Sequence, residues 1–461
     1  MNLNVWKAVP AWMPLLAGLI LASPYPAASD PVALPDSTVS DRWVLGNGLR
    51  VVTRHIPRAR AVAIVVCYRT GSSLDPPGRE GLASVLAEVA FTGAAGEVPE
   101  RTREEMTSLR PMGWNLKVTP TFTQLSEIAS HEQFPGVLHQ VALRARGVTV
   151  TQNILRSAVA TVKRNLTDDY SDLNRALYYQ VRGLAAGATH ATLLRGASGK
   201  GIQDLTAKEI QQQLQKLYAP ANAILGVAGN LTGYDARRLI EREFGGLPGG
   251  TPRPDPRPTV FAPGSYTLSH PGLTSATGAL GVIGPAIDDS LHPSFCLHAL
   301  LFGSFCRRQW GPPSPPLSSR FAFSVLDDPG LVRFYPPVSP DPHDSTQVAE
   351  EFLYTLNEFP LGAIEKESYD EAFENLEWLL GGSLSTGLLK RMRNDPGALY
   401  TLCSGMAARE TWGEETFWAQ YRRRFEEAAE DDLNRWRSYF ITRDHLIQLR
   451  LVPEKETASA H

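Results

Sequence analysis

Hydrophobic positions along this chain switch repeatedly between two spacings. Trp43–Leu45 and Arg50–Arg54 flank Gly46-Asn47-Gly48, which predicts a hairpin between two short strands. Ala61–Tyr68 is an almost unbroken apolar run rich in β-branched residues, and reads as a buried strand. From Gly81 to Phe91 the spacing becomes helical, with Leu82, Val85, Leu86, Val89 and Ala90 on one core-facing stripe. Glu132–Arg144, Gln152–Leu166, Thr206–Leu217 and Tyr234–Phe244 have the same amphipathic character. In the third of these, Thr206 stands at the N-cap with Glu209 at the capping-box position. Ala223–Ala228 reads as a strand.

The order then recurs in outline. Gly278–Gly284 is strand-like and His292–Phe302 helical; Phe321–Leu326 and Leu331–Tyr335 are strand-like. Helices fill much of Ser345–Phe440, and His445–Val452 closes with a strand. Strands and helices are mixed rather than strictly alternating, which predicts an α+β fold in two related halves. The Pro- and Gly-rich stretch 249–263 separates them as a linker, leaving an N-terminal domain over 41–248 and a C-terminal one over 264–455. At 461 residues, more than one hydrophobic core is expected.

Composition adds mainly exclusions. A net charge of -3 gives no basis for a nucleic-acid partner. Cys67, Cys296, Cys306 and Cys403 form no CxxC pair, so a cysteine zinc site is not expected. Buried free thiols are the preferred reading, with a Cys296–Cys306 bridge left open. Near the start, Lys7 precedes an uncharged stretch, Ala8 to Ser29, with an apolar centre and a small-residue end. That pattern predicts a secretory signal peptide over 1–29, the alternative being an uncleaved anchor. The expectation is an exported chain, periplasmic or extracellular, with no integral membrane span after processing.

Several short motifs occur in a recognisable order. They are Asn47-Gly48-Leu49-Arg50-Val51-Val52, then Gly71-Ser72 through Gly81-Leu82-Ala83, then Phe91-Thr92-Gly93 and Gly113-Trp114-Asn115. Leu217-Tyr218-Ala219-Pro220-Ala221-Asn222-Ala223, Val227-Ala228-Gly229-Asn230 and Phe244-Gly245-Gly246-Leu247-Pro248 follow. In these motifs the chain resembles the pitrilysin/insulinase family of zinc peptidases, in particular its mitochondrial-processing branch. The C-terminal half is similar only diffusely, through element order and the closing Leu451-Val452-Pro453. The resemblance implies two homologous domains, each a mostly antiparallel sheet covered by helices, together forming one half of a clam-like chamber.

The resemblance also implies zinc, held by His-x-x-Glu-His on the first helix and a glutamate from a later one, with the motif glutamate as general base. Here the matching positions are Ser84-Val85-Leu86-Ala87-Glu88. Ser84 and Glu88 replace the histidines, and Ala87 replaces the base. Val162, with Thr161 the next candidate, replaces the third ligand. No two of the ten histidines are four residues apart, so no shift of register restores the motif. Ser84 lies in no nucleophile-elbow pattern either, and a helix-surface serine is its plainer reading. Positions that would contact substrate fall at Phe323, where a tyrosine is expected, and in the proline run near Pro316. Arg320, Arg307 and Arg308 are the nearby arginines. The charge run Glu100, Arg101, Arg103, Glu104, Glu105 reads as a solvated helix face. The resemblance therefore points to a non-catalytic homologue without a metal cofactor, pairing with an active family peptidase to enclose peptide substrates. A stand-alone structural or peptide-binding scaffold is the alternative, and an active zinc endopeptidase the least favoured reading.

Overall fold

A computed structural model describes residues 39–171, 173–185, 199–252, 263–270, 273–274, 276–310, 321–322, 330–334, 386–413, 415–428 and 445–453, with isolated helical positions between 354 and 376 and between 435 and 439. The candidate signal peptide, most of the linker, Arg320 and Phe323 lie outside these residues.

The first half runs β1 (Val39–Val44), β2 (Arg50–His55), β3 (Ala61–Tyr68), α1 (Leu82–Thr92), α2 (Arg103–Leu109), β4 (Trp114–Val118), β5 (Thr123–Ser130), α3 (Phe134–Arg146), α4 (Gln152–Ser171), α5 (Leu173–Ala185), α6 (Ala207–Leu217), β6 (Ala223–Gly229) and α7 (Ala236–Phe244). The second runs β7 (Gly264–His270), β8 (Thr277–Ile283), α8 (His292–Trp310), β9 (Phe321–Ala322), β10 (Leu331–Phe334), α9 (Thr386–Asn394), α10 (Pro396–Arg409), α11 (Glu415–Glu426) and β11 (Leu446–Pro453). Among the described residues, no helix is long and apolar enough to cross a membrane.

Two mixed sheets result, with orders β1-β2-β6-β3-β5-β4 and β7-β11-β8-β10-β9. Leaving out β1, the two orders are the same when β2 is matched to β7 and each following strand to its counterpart. Each sheet has a single parallel pair among its described strands, β2 with β6 and β7 with β11. The recurrence seen in the sequence is thus a repeated topology, and the fold is α+β in two homologous halves.

The β3 run is continuous because both faces of its sheet are covered. Val62, Ile64, Val66 and Tyr68 enter a core with α1, α3, α4 and α6. The alternate residues Ala61, Ala63, Val65 and Cys67 enter a separate core with Leu399, Leu402, Cys403, Met406 and Ala407 of α10. In the second sheet Leu280 and Val282 of β8 face α8, while Ala279 and Ile283 face Leu177, Val181 and Leu184 of α5. Each half therefore lends one helix to the other's sheet. Every fully buried aliphatic side chain in these interfaces contributes about 1.5–3 kcal/mol.

Glycine sets the closeness of both exchanged helices. A Cβ on Gly226 of β6 would lie 3.2 Å from the Cys403 carbonyl oxygen and from Ala407 Cβ. A Cβ on Gly281 of β8 would lie 2.6 Å from Val181 Cγ1. Polar contacts fix the register of α10 as well. The Gln124 amide donates to the Ser404 carbonyl at 2.9 Å, the Ser404 hydroxyl donates back to Gln124 at 2.5 Å, and Asn115 donates to the Tyr400 hydroxyl at 2.6 Å.

Candidate functional site

Helix α1 is the element on which metal chemistry would be built. Its N-cap is Gly81, at a φ of 98° that suits glycine, and glycine has no side chain to cap the helix. The cap comes instead from Asp75, whose carboxylate accepts the Gly81 N–H at 2.9 Å and the Ala83 N–H at 2.8 Å. Burial pushes the Asp75 carboxyl up to about 7, more than its two helix N–H donors lower it. Beyond the first turn, α1 is buried on almost every side.

Ser84 is half-buried, and Ala87 is fully buried. Val162 on α4 is 3% exposed and packs into the same apolar core as Val85, Leu86 and Val89. Thr161 beside it is half-buried. Glu88 is engaged elsewhere. Its carboxylate receives a fork from Arg103 at the start of α2, Nε to Oε1 at 2.9 Å and Nη2 to Oε2 at 2.5 Å. Both carboxylate oxygens are thereby committed to a guanidinium. The Glu88 side chain is 4% exposed and that of Arg103 31%.

These residues do not fit zinc. A tetrahedral site needs three protein donors, and the positions supply a hydroxyl, a methyl group, an isopropyl group and a carboxylate already paired with a cation. Ala87 can accept no proton from water. Among the described residues no group of three or more His, Cys, Asp or Glu is arranged to hold a metal ion.

Around this pair runs a chain of aromatic and charged groups. Arg103 lies over the Trp114 ring, 5.7 Å from its centroid, and Trp114 packs on Phe91 at 5.1 Å. Arg144 of α3 lies over Phe91 at 5.6 Å and pairs with Glu127 of β5. Arg110 donates to the other oxygen of Glu127 at 2.5 Å and to Gln140 at 2.7 Å. Sequence reading missed all of this. The charge run at Glu100–Glu105 is only in part a solvated face: Glu104 and Glu105 are exposed, but Arg103 turns inward. Its one legible signal was the capping box, in which Thr102 and Glu105 satisfy each other's backbone N–H.

Cys67, Cys296 and Cys403 are free and buried, so Cys296 is not bridged to Cys306, whose side chain lies outside the described residues. Burial pushes Cys67 up to about 12 and Cys403 higher still, which keeps both as thiols.

Two matched sheets of repeated topology, each covered by helices, define the class as an α+β protein of two homologous halves. Residues 204–376 match the family described as Peptidase M16 inactive domain. The chain is 22% identical over 296 residues to the mitochondrial-processing peptidase subunit beta of Blastocladiella emersonii, covering 61% of this chain and 60% of that protein. It thus aligns with less than two thirds of that relative's length. Among solved structures, a protease from Helicobacter pylori superposes with a TM-score of 0.69 at 17% identity, over 90% of this chain and all of that one. A peptidase M16 inactive domain from Pseudomonas fluorescens gives 0.61 at 14% identity, over 90% and 98%. The chain is thus similar to the pitrilysin/insulinase (M16) peptidases, over residues 204–376 by family match and over most of its length by fold.

Proposed function

We propose that this chain is a non-catalytic member of its family. In this reading it is the zinc-less subunit of an exported heterodimeric peptidase, enclosing and gripping peptides that a separately encoded active subunit cleaves. The observation that supports the reading most is the Glu88–Arg103 fork, an internal ion pair on a residue that the resemblance matches to a metal ligand. Ala87 and Val162 support it by removing the general base and the third ligand. Domain limits of 41–248 and 264–455, a signal peptide over 1–29, and substrate contacts near Arg320 and Phe323 belong to the same proposal.

Co-expression tests it. Purified alone, the chain should cleave no peptide. Mixed with a homologue from the same organism that carries an intact His-x-x-Glu-His motif, it should co-elute and raise that homologue's activity. Normal activity of the homologue alone, without co-elution, would favour the stand-alone scaffold. Cleavage by the isolated chain would overturn both.

A further inference from the structure

The arginines behind α1 carry more positive charge than the carboxylates they touch can neutralise. Arg110 and Arg144 share Glu127, one on each carboxylate oxygen, and their side chains are 7% and 5% exposed. Two guanidiniums on one carboxylate leave one positive charge in the interior. Arg101 adds another. Its backbone N–H is bonded to the Thr92 carbonyl at 2.8 Å, so the residue is anchored at the end of α1. Its Nη1, however, is a buried donor without a hydrogen-bond partner. The carboxylate that acts on Arg101 through space is Glu105, and that group is occupied in the α2 cap, where it accepts the Thr102 N–H at 2.7 Å.

After burial, the neighbouring arginines also favour the neutral forms of Arg144 and Arg101. Burial first, then Arg110 and Arg101, lower Arg144 to about 9, and burial lowers Arg110 to about 10. All remain charged at neutral pH. A buried, uncompensated cation is costly unless a counter-charge joins it. Arg101 itself is only half-buried, so its side chain meets solvent while Nη1 is covered.

We propose that Arg101, backed by Arg144 and Arg110, forms a binding site for an oxyanion with at least two acceptor oxygens, a carboxylate or a phosphate. Planar guanidinium forks match such groups two bonds at a time. The site is separate from the Glu88–Arg103 pair and does not depend on the chain having a peptidase partner.

The test is calorimetric titration of the full-length chain with three probes: inorganic phosphate, a short N-acetylated peptide with a free C-terminal carboxylate, and the same peptide amidated. Saturable binding of one equivalent is expected for phosphate or for the free-acid peptide, and which of them binds assigns the ligand. The amidated peptide should not bind. Arg101→Gln should weaken binding by about tenfold or more, the loss of a charge-assisted hydrogen bond. Arg101→Lys keeps the charge without the fork and should fall between. Thermal melting of each variant without ligand shows that the fold survives, which the half-exposed position of Arg101 favours. Absence of binding by every probe would overturn the proposal, as would equal binding by Arg101→Gln or by the amidated peptide.

Discussion

Helices α1 and α8 occupy equivalent places in the two halves, each following the matched strand of its sheet, yet they handle buried polarity in opposite ways. On α1 the polar group is a charge, Glu88, neutralised by an arginine that still reaches solvent. On α8 the polar groups are sealed and packed against one another. His292 and Cys296 lie one turn apart, both fully buried, and the Tyr421 hydroxyl lies 2.8 Å from His292 Nδ1 and donates to Cys296 Sγ at 2.9 Å. Burial holds the Tyr421 phenol far above its usual range, so it stays protonated. The half expected to carry a metal has no nitrogen or sulfur donors on its helix. The other half has such donors, locked among Phe295, Trp418 and Trp436. Repeated topology therefore does not carry repeated chemistry.

The comparison can be strained first through apolar packing. Phe295, fully buried on α8, should cost about 3–5 kcal/mol when changed to Ala, read from denaturant midpoints. A loss below about 1 kcal/mol would mean that α8 is not packed as described. On α1, Arg103→Ala leaves Glu88 buried and unpaired. The expected loss is roughly 2 kcal/mol, below the 3–5 of a fully buried pair because Arg103 is partly solvated. Glu88→Gln should cost less, since the freed arginine can turn outward. A reversed ranking would show that the fork is not what stabilises this helix.

The cap of α1 offers a pH test. Asp75 has a folded value near 7, above its ordinary 3.8, so the folded state holds that proton more tightly. Its contribution to stability is fully present below about 3.8 and is lost as pH rises toward 7. The stability of Asp75→Asn relative to wild type should accordingly improve between pH 4 and pH 8 in paired denaturation curves, and a constant difference would refute the assignment. The helix exchange supplies a further contrast. Gly281→Ala should cost about 1–3 kcal/mol through its clash with Val181, and more than Gly226→Ala, where a shift of a few tenths of an ångström suffices. Smallest of all, Tyr421→Phe should cost about 1 kcal/mol by removing one hydroxyl from the α8 cluster.

Much of the fold was legible because it rests on local pattern. The β3 run, the α1 stripe and the Thr206 cap each follow from residues within one or two turns of each other, and the structure has them at Ala61–Tyr68, Leu82–Thr92 and Ala207–Leu217. That α1 carries no histidine is read directly from the sequence, whereas the matching of Ser84, Ala87 and Glu88 to ligand and base positions rests on the resemblance. What Glu88 pairs with was not legible. Arg103 is fifteen residues from Glu88, and nothing in an exposed-looking charge run marks one member as turning inward. The helix exchange was hidden for a similar reason. Its contacts join α10 to β3 and α5 to β8 across much of the chain, while the sequence division at 249–263 treats each half as closed on itself. The Arg101, Arg110 and Arg144 cluster likewise comes from three separate elements that only the folded sheet brings together.

The proposed function turns on α1 being unable to hold zinc. The most direct measurement is the metal content of tag-free, full-length protein by mass spectrometry, after incubation with zinc and removal of the excess. Well under one zinc per chain is expected, with no change when Glu88 is replaced by Ala. One tightly held zinc per chain, lost in Glu88→Ala, would contradict it.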